Sequence, residues 1–190
     1  MSIKIGVIAE DTSDIEVITE ILSKHIEKSD FSIKKFVGRG CGKLKIKCGA
    51  WVDNLSAQGC SHILIFHDLD SNKEDELRKE INTRINNCKF KETLIVIPTE
   101  ELEAWLLTDA AAIKSTFTIT QDIKIPGDVE KIKSPKEFLC KLIKRASNKN
   151  YINTIHNKKI AEKLTTKSLS TCPSYRAFES YVNEKIIPSL

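Results

Sequence analysis

The stretch "HILIFHDLDSN", residues 62–72, decides how the chain is read. Its first five residues form an apolar run of strand length. The run is followed by two aspartates one residue apart, Asp68 and Asp70. A strand without polar alternation is one covered on both faces, which places it in the middle of a parallel sheet. The aspartates then fall where the strand gives way to a loop.

Outward from this strand the chain alternates. "IKIGVIAE" (3–10) predicts a first strand ending in Glu10, and "DTSDIEVITEILSKHIEK" (11–28) carries Ile15, Ile18, Leu22 and Ile26 at helical spacing. "FSIKKFVG" (31–38) reads as an amphipathic strand near an edge, and residues 39–59 as a Gly-rich basic turn leading into a helix. After the central strand come a charged helix over 71–88, a fourth strand "ETLIVIP" (92–98), and a helix over 99–113 with Thr99 as its N-cap. This alternation predicts an α/β fold, a four-stranded parallel sheet with helices on both faces, over residues 1–113. Residues 114–130 read as loop. "PKEFLCKLIKRAS", "NKKIAEKL" and "YRAFESYVNEKI" then predict a helical annex over 114–190, packed on the same domain.

Composition bounds what such a domain can be. The 190 residues are 41% hydrophobic and 29% charged, which is globular usage. The net charge of +4, from 30 basic and 26 acidic residues, is mild but leaves room for a locally basic face. No apolar run approaches the ~18 residues of a membrane span, and no leader pattern opens the chain, so a cytoplasmic protein without a membrane partner is expected. The six cysteines stand singly, with no C-x-x-C pair, and read as reduced, mostly buried thiols.

In an open parallel sheet, ligands bind beyond the carboxyl ends of the strands. Glu10 ends the first strand, Asp68 and Asp70 end the third, and Glu100, Glu101 and Glu103 follow the fourth. Negative charge gathered at one edge is costly without a cation, and hard carboxylate oxygens suit Mg²⁺ or Mn²⁺. A simpler reading treats these acids as helix caps and strand ends.

A glutamate after the first strand and Asp-x-Asp after the third resemble the signature of the Toprim domain, shared by topoisomerases, bacterial primases, recombination proteins and OLD-type nucleases. Here the matching residues are Glu10 in "GVIAED" and Asp68 and Asp70 in "IFHDLDSN". Where many Toprim proteins carry a glycine just after the glutamate, this chain has Asp11-Thr12-Ser13. "IPTEELEAWLL", "TDAAAI" and "NKKIAEKLTTKSLSTCPSYRAFESYV" are similar to a family of small bacterial Toprim-like proteins, the DUF4276 family, over nearly the whole chain. The resemblance implies that Glu10, Asp68 and Asp70 hold Mg²⁺ or Mn²⁺, with Glu103, or else Glu101, completing the site. It also implies an effector nuclease acting on DNA or RNA beside an ABC- or AAA-type ATPase in anti-phage defence, with an oligomer compatible.

Two further stretches bear on chemistry. "GRGCGKLKIK" (38–47) follows the second strand; its glycines free backbone N–H groups, and Arg39, Lys43 and Lys45 supply charge for phosphate or nucleic acid. His67, by strand alternation, faces away from Asp68 and reads as a packed or hydrogen-bonded side chain. The three tyrosines, Tyr151, Tyr175 and Tyr181, all lie in the annex, so water is the expected nucleophile. The basic annex residues Lys144, Arg145, Lys149, Lys158 and Lys159 read as a solvated face or a partner surface. Besides a metal-dependent nuclease, two other classes stay open: a non-catalytic module docking an ATPase or nucleic acid, and a phosphoryl-transfer enzyme acting on a small nucleotide.

Overall fold

The computed structural model describes residues 2–38, 40–88, 90 and 92–190, and of Cys41 the backbone alone. Four strands, β1 (Ile3–Ala9), β2 (Phe31–Val37), β3 (His62–Phe66) and β4 (Thr93–Val96), form one sheet in the order β2-β1-β3-β4. All three pairings are parallel, with Ile8 opposite both Phe36 and Ile65. β3 is buried along its whole length, as its unbroken apolar run requires. β2 sits at the edge with Lys34 and Lys35 exposed, and charged residues protect an open edge from pairing with another chain.

Strand alternation sends side chains to two cores. Ile5, Val7, Leu64, Phe66 and Val96 point to one face, where helix α1 (Thr12–Leu22) and the annex cover them. Ile8, Ile63, Ile65 and Ile95 point to the other, under α2 (Cys41–Ala57) and α3 (Glu74–Ile85). Residues 114–190 bury Leu139, Ile160, Tyr175, Phe178 and Ile186 in the same core as α1. Trp105, fully buried, joins the two halves: its ring meets Phe66 edge-on at 5.9 Å and Tyr175 at 5.2 Å.

The helix expected over 99–113 is two. Glu100 adopts a left-handed φ of 61°, and a single turn, α4 (Glu103–Leu106), starts only after Leu102. Thr99 is therefore not its cap. Asp109 caps a second helix, α5 (Ala110–Phe117), by accepting the Ala112 N–H at 3.0 Å. Side-chain oxygens that bind nearby backbone N–H groups compete with a continuous helix, and Asp109 does so here. α5 also runs into the stretch expected to be loop.

In the annex, α6 (Pro135–Ser147) matches its expected span, and α7 (Asn153–Ala161) begins earlier than its apolar pattern. The short α8 (Thr166–Leu169) is additional; α9 (Pro173–Tyr181) passes into a π-helical turn over Val182–Ile186. Cys48, Cys60, Cys88 and Cys172 are buried and Cys140 is exposed. Burial pushes the Cys48 thiol up to about 11 and the Cys172 thiol to about 12, which keeps both protonated at neutral pH.

Candidate functional site

The strand order creates the site. From β1 the chain steps to β2 on one side, then returns to β3 on the other, so the winding reverses between β1 and β3. A crevice opens at such a switch point, beyond the carboxyl ends of the two strands. Glu10 and Asp68 stand on either side of it. The Asp68 N–H donates to Glu10 Oε1 at 3.3 Å, and His67 Nδ1 lies 3.2 Å from the same oxygen.

A cavity of about 190 Å³ occupies this crevice, lined by Glu10, Asp11, Asp14, Gly40, Asp68, Glu101, Glu103, Lys136 and Asn153. The loops after β3 and β4 are zipped together above it. Leu69 N–H donates to Pro98 O at 3.1 Å, Asp70 N–H to Glu100 O at 2.9 Å, and Leu102 N–H to Asp68 Oδ1 at 3.0 Å. Asp70 and Glu100 take left-handed φ angles of 48° and 61° at this junction. Asp70 is exposed and stands outside the cavity lining, yet close enough to raise the proton affinity of Glu10, Asp68 and Glu101.

Electrostatics marks the same place. Burial, then the charges of Asp14, Glu103, Glu10 and Asp70, hold the Asp68 carboxyl well above the usual range. Burial, opposed by the Asp11 N–H and reinforced by Glu103, Asp11 and Glu10, pushes Asp14 up to about 7. Glu10 is raised chiefly by burial, with His67 pulling the other way. His67 and Lys45 offset this only in part at Glu10, and a hard divalent cation would add counter-charge. Their oxygens fit Mg²⁺ or Mn²⁺. Among the described residues no three Asp, Glu, His or Cys side chains form a finished ligand cluster, so an ion would have to draw these carboxylates inward.

Glu103 is the deepest acid, 5% exposed. Its Oε1 accepts from Tyr151 OH at 3.3 Å and Asn157 Nδ2 at 3.1 Å, and Tyr151 OH also bonds Asn157 Oδ1. The annex thus supplies one wall of the site. Glu101 Oε2 accepts the Lys136 N–H at 2.7 Å, so both candidate auxiliary acids are held by annex residues.

The two expected phosphate-binding lysines that are described differ in their surroundings. Arg39 lies outside the described residues. Lys45 pairs with Glu80 at 3.1 Å and faces α3, though it still lowers the proton affinity of Glu10. Lys43 is exposed on the first turn of α2, and Gly40 just before it lines the cavity. His67 is buried and hydrogen-bonded, as expected, to the Asp68 carbonyl, and the same nitrogen also reaches the site's own glutamate. Its Nδ1 faces two acceptors, Asp68 O at 2.7 Å and Glu10 Oε1, so that nitrogen carries the proton; its buried Nε2 has no partner among the described residues.

Asp14, Lys136, Asn153, Tyr151 and Asn157 were not expected here. Asp14 had a local signal. Asp11-x-x-Asp14 is a capping pattern, in which Asp14 Oδ2 accepts the Asp11 N–H at 2.9 Å and so turns back toward Glu10. The annex residues had none, because only the packing of α6 and α7 brings them to the sheet edge.

No curated protein and no solved structure matches the chain. A family model does, described as a domain of unknown function (DUF4276), over residues 9–183, from the end of β1 into the last helical turns. The match takes in β2, β3 and β4 and most of the annex. The chain belongs to the DUF4276 family.

Proposed function

We propose that this protein is a Toprim-type, Mg²⁺- or Mn²⁺-dependent nuclease that hydrolyses phosphodiesters in DNA or RNA, as an effector with an ATPase partner in anti-phage defence. One observation carries the reading: Glu10, Asp14, Asp68 and Glu103 converge on one cavity at the switch point of a parallel sheet, and their charges raise Asp68. The positions of Glu10 and of the Asp68/Asp70 pair after the first and third strands support the Toprim assignment. The ATPase and defence context rests on the sequence blocks shared with the small Toprim-like proteins.

A divalent cation bound here supplies Lewis-acid polarisation of a phosphate oxygen and acidifies a water. The chain's own residues do the rest. His67 Nδ1 and the Asp68 N–H fix Glu10 Oε1, leaving the other oxygen to take a proton from an incoming water. Lys136 in the cavity wall meets the phosphate charge. Water is the nucleophile because the tyrosines are engaged: Tyr175 OH with His25 at 2.7 Å, Tyr181 OH with His62 at 3.2 Å, and Tyr151 with Glu103. Burial raises all three phenols, so none offers a phenolate.

A second reading, a non-catalytic docking module, is favoured by one fact. Asp68, Glu101 and Glu103 each already accept a structural hydrogen bond. Calorimetric titration with Mn²⁺, together with cleavage of DNA and RNA pools with and without the ATPase, separates the two. The nuclease reading expects Mn²⁺ binding and cleavage, both lost in Glu10→Gln and Asp68→Asn. Absence of both overturns it and leaves the docking module.

A further inference from the structure

The start of α2 is poorly built for a helix standing alone. Its N-cap, Gly40, has φ 115° and provides no side-chain cap, and no acid occupies the first turn. Lys43, Lys45 and Lys47 fall in the first two turns, where the helix dipole disfavours cations, and Lys43 and Lys47 repel each other at i, i+4. Glu80 answers the charge of Lys45 at 3.1 Å. Lys43 and Lys47 are exposed and have no carboxylate partner among the described residues. Three annex cations are engaged differently: Lys149 Nζ bonds Phe117 O and Thr118 Oγ1, Lys144 Nζ bonds Asn148 O, and Lys158 lies 3.9 Å from Glu20. A local conflict left standing in a well-packed protein marks a surface shaped by something besides folding.

The same face continues into apolar surface. One turn beyond Lys47, Trp51 is half-buried and stacked on Phe36 of β2, ring centroids 5.3 Å apart and planes 2° from parallel. Ile46, beside the lysines, is 67% exposed. From Gly40 at the cavity to Trp51 the helix runs ~16 Å, the reach of a few nucleotides. Cations in a row, an aromatic ledge and a cavity at one end are the parts of a single-strand track. An acidic protein surface would match the lysines and leave the ledge unused.

We propose that this face of α2 binds single-stranded nucleic acid and feeds it to the carboxylate cavity, Lys43 and Lys47 meeting the backbone and Trp51 stacking a base. As the substrate path, it rests on the nuclease reading above; as a binding surface it is measurable without metal.

Tryptophan fluorescence tests it, since Trp105 is fully buried and Trp51 reports the surface. The protein is titrated in EDTA at low salt with single-stranded DNA and RNA oligonucleotides and with duplexes of each. Saturable quenching by single strands is expected, weakening as salt rises, and the two sugars tell which nucleic acid is preferred. Lys43→Glu/Lys47→Glu, both exposed, should lower affinity at least tenfold, and Trp51→Phe severalfold. No quenching, binding unchanged in the double variant, or duplex bound as tightly as single strand overturns the proposal. A protein that binds strands but not Mn²⁺ keeps the track and loses the cation reading. One that binds Mn²⁺ but no strand does the reverse.

Discussion

Asp68 Oδ1 accepts the Leu102 N–H at 3.0 Å, so the acid that follows β3 also starts the helix that follows β4. The two jobs separate by substitution. Asp68→Asn keeps an acceptor and removes the charge, so the fold should persist while Mn²⁺ affinity collapses. Asp68→Ala also orphans the Leu102 N–H, at a further cost of about 1–2 kcal/mol. Urea unfolding beside Mn²⁺ titration reads both; equal stability of the two variants would contradict the capping role.

Cation binding should depend on pH through Asp14, whose carboxyl titrates near 7, and through the raised Glu10 and Asp68. A bound proton competes with the ion, so affinity rises with pH. Asp14 alone predicts roughly a tenfold gain in Mn²⁺ affinity between about pH 6 and 8. A flat profile would remove Asp14 from the ligand set.

The same shift sets cation-free stability. The Asp14 carboxyl holds its proton more tightly when folded, near 7, than at its ordinary value of 3.8. Its contribution is therefore full below the lower value and lost as pH rises toward the higher one. Asp14→Asn stays neutral and should raise Tm by roughly 3–6 °C at about pH 8, the gain shrinking toward about pH 4. Scanning calorimetry of both proteins in EDTA checks it, and a Tm lowered at the higher pH would oppose the sign.

Gly49 lies inside α2, where alanine ordinarily stabilises by about 1 kcal/mol. Here a Cβ would sit 2.5 Å from Arg84 O on α3, a backbone atom that cannot swing aside. Gly49→Ala should instead destabilise, by about 1–3 kcal/mol. Denaturant unfolding decides the sign.

Tyr151→Phe removes the hydroxyl that holds Glu103 and Asn157. It should cost about 1–2 kcal/mol in stability and weaken Mn²⁺ binding roughly tenfold by loosening Glu103. Unchanged Mn²⁺ affinity would confine this network to folding.

Much of the architecture was legible from local pattern. The unbroken apolar run of β3 placed it centrally, and the polar face of β2 placed it at the edge. The break between α4 and α5 was not legible. Glu103 to Ala112 is rich in Ala and Leu, and the interruption comes with the Asp109 cap, while Asp68 holding the Leu102 N–H sets the late start of α4. Lys45 likewise reads as a phosphate ligand until Glu80 is found beside it.

By itself the sequence determined the order of strands and helices and which of them end in acids, because periodicity and side-chain chemistry are local properties. Only the tertiary structure decided that β1 and β3 lie side by side, that Glu10 therefore meets Asp68 across a switch point, and that Tyr151 and Asn157 of the annex hold Glu103 beside them. Those relationships depend on contacts between distant segments, where burial of a shared core selects one packing among many.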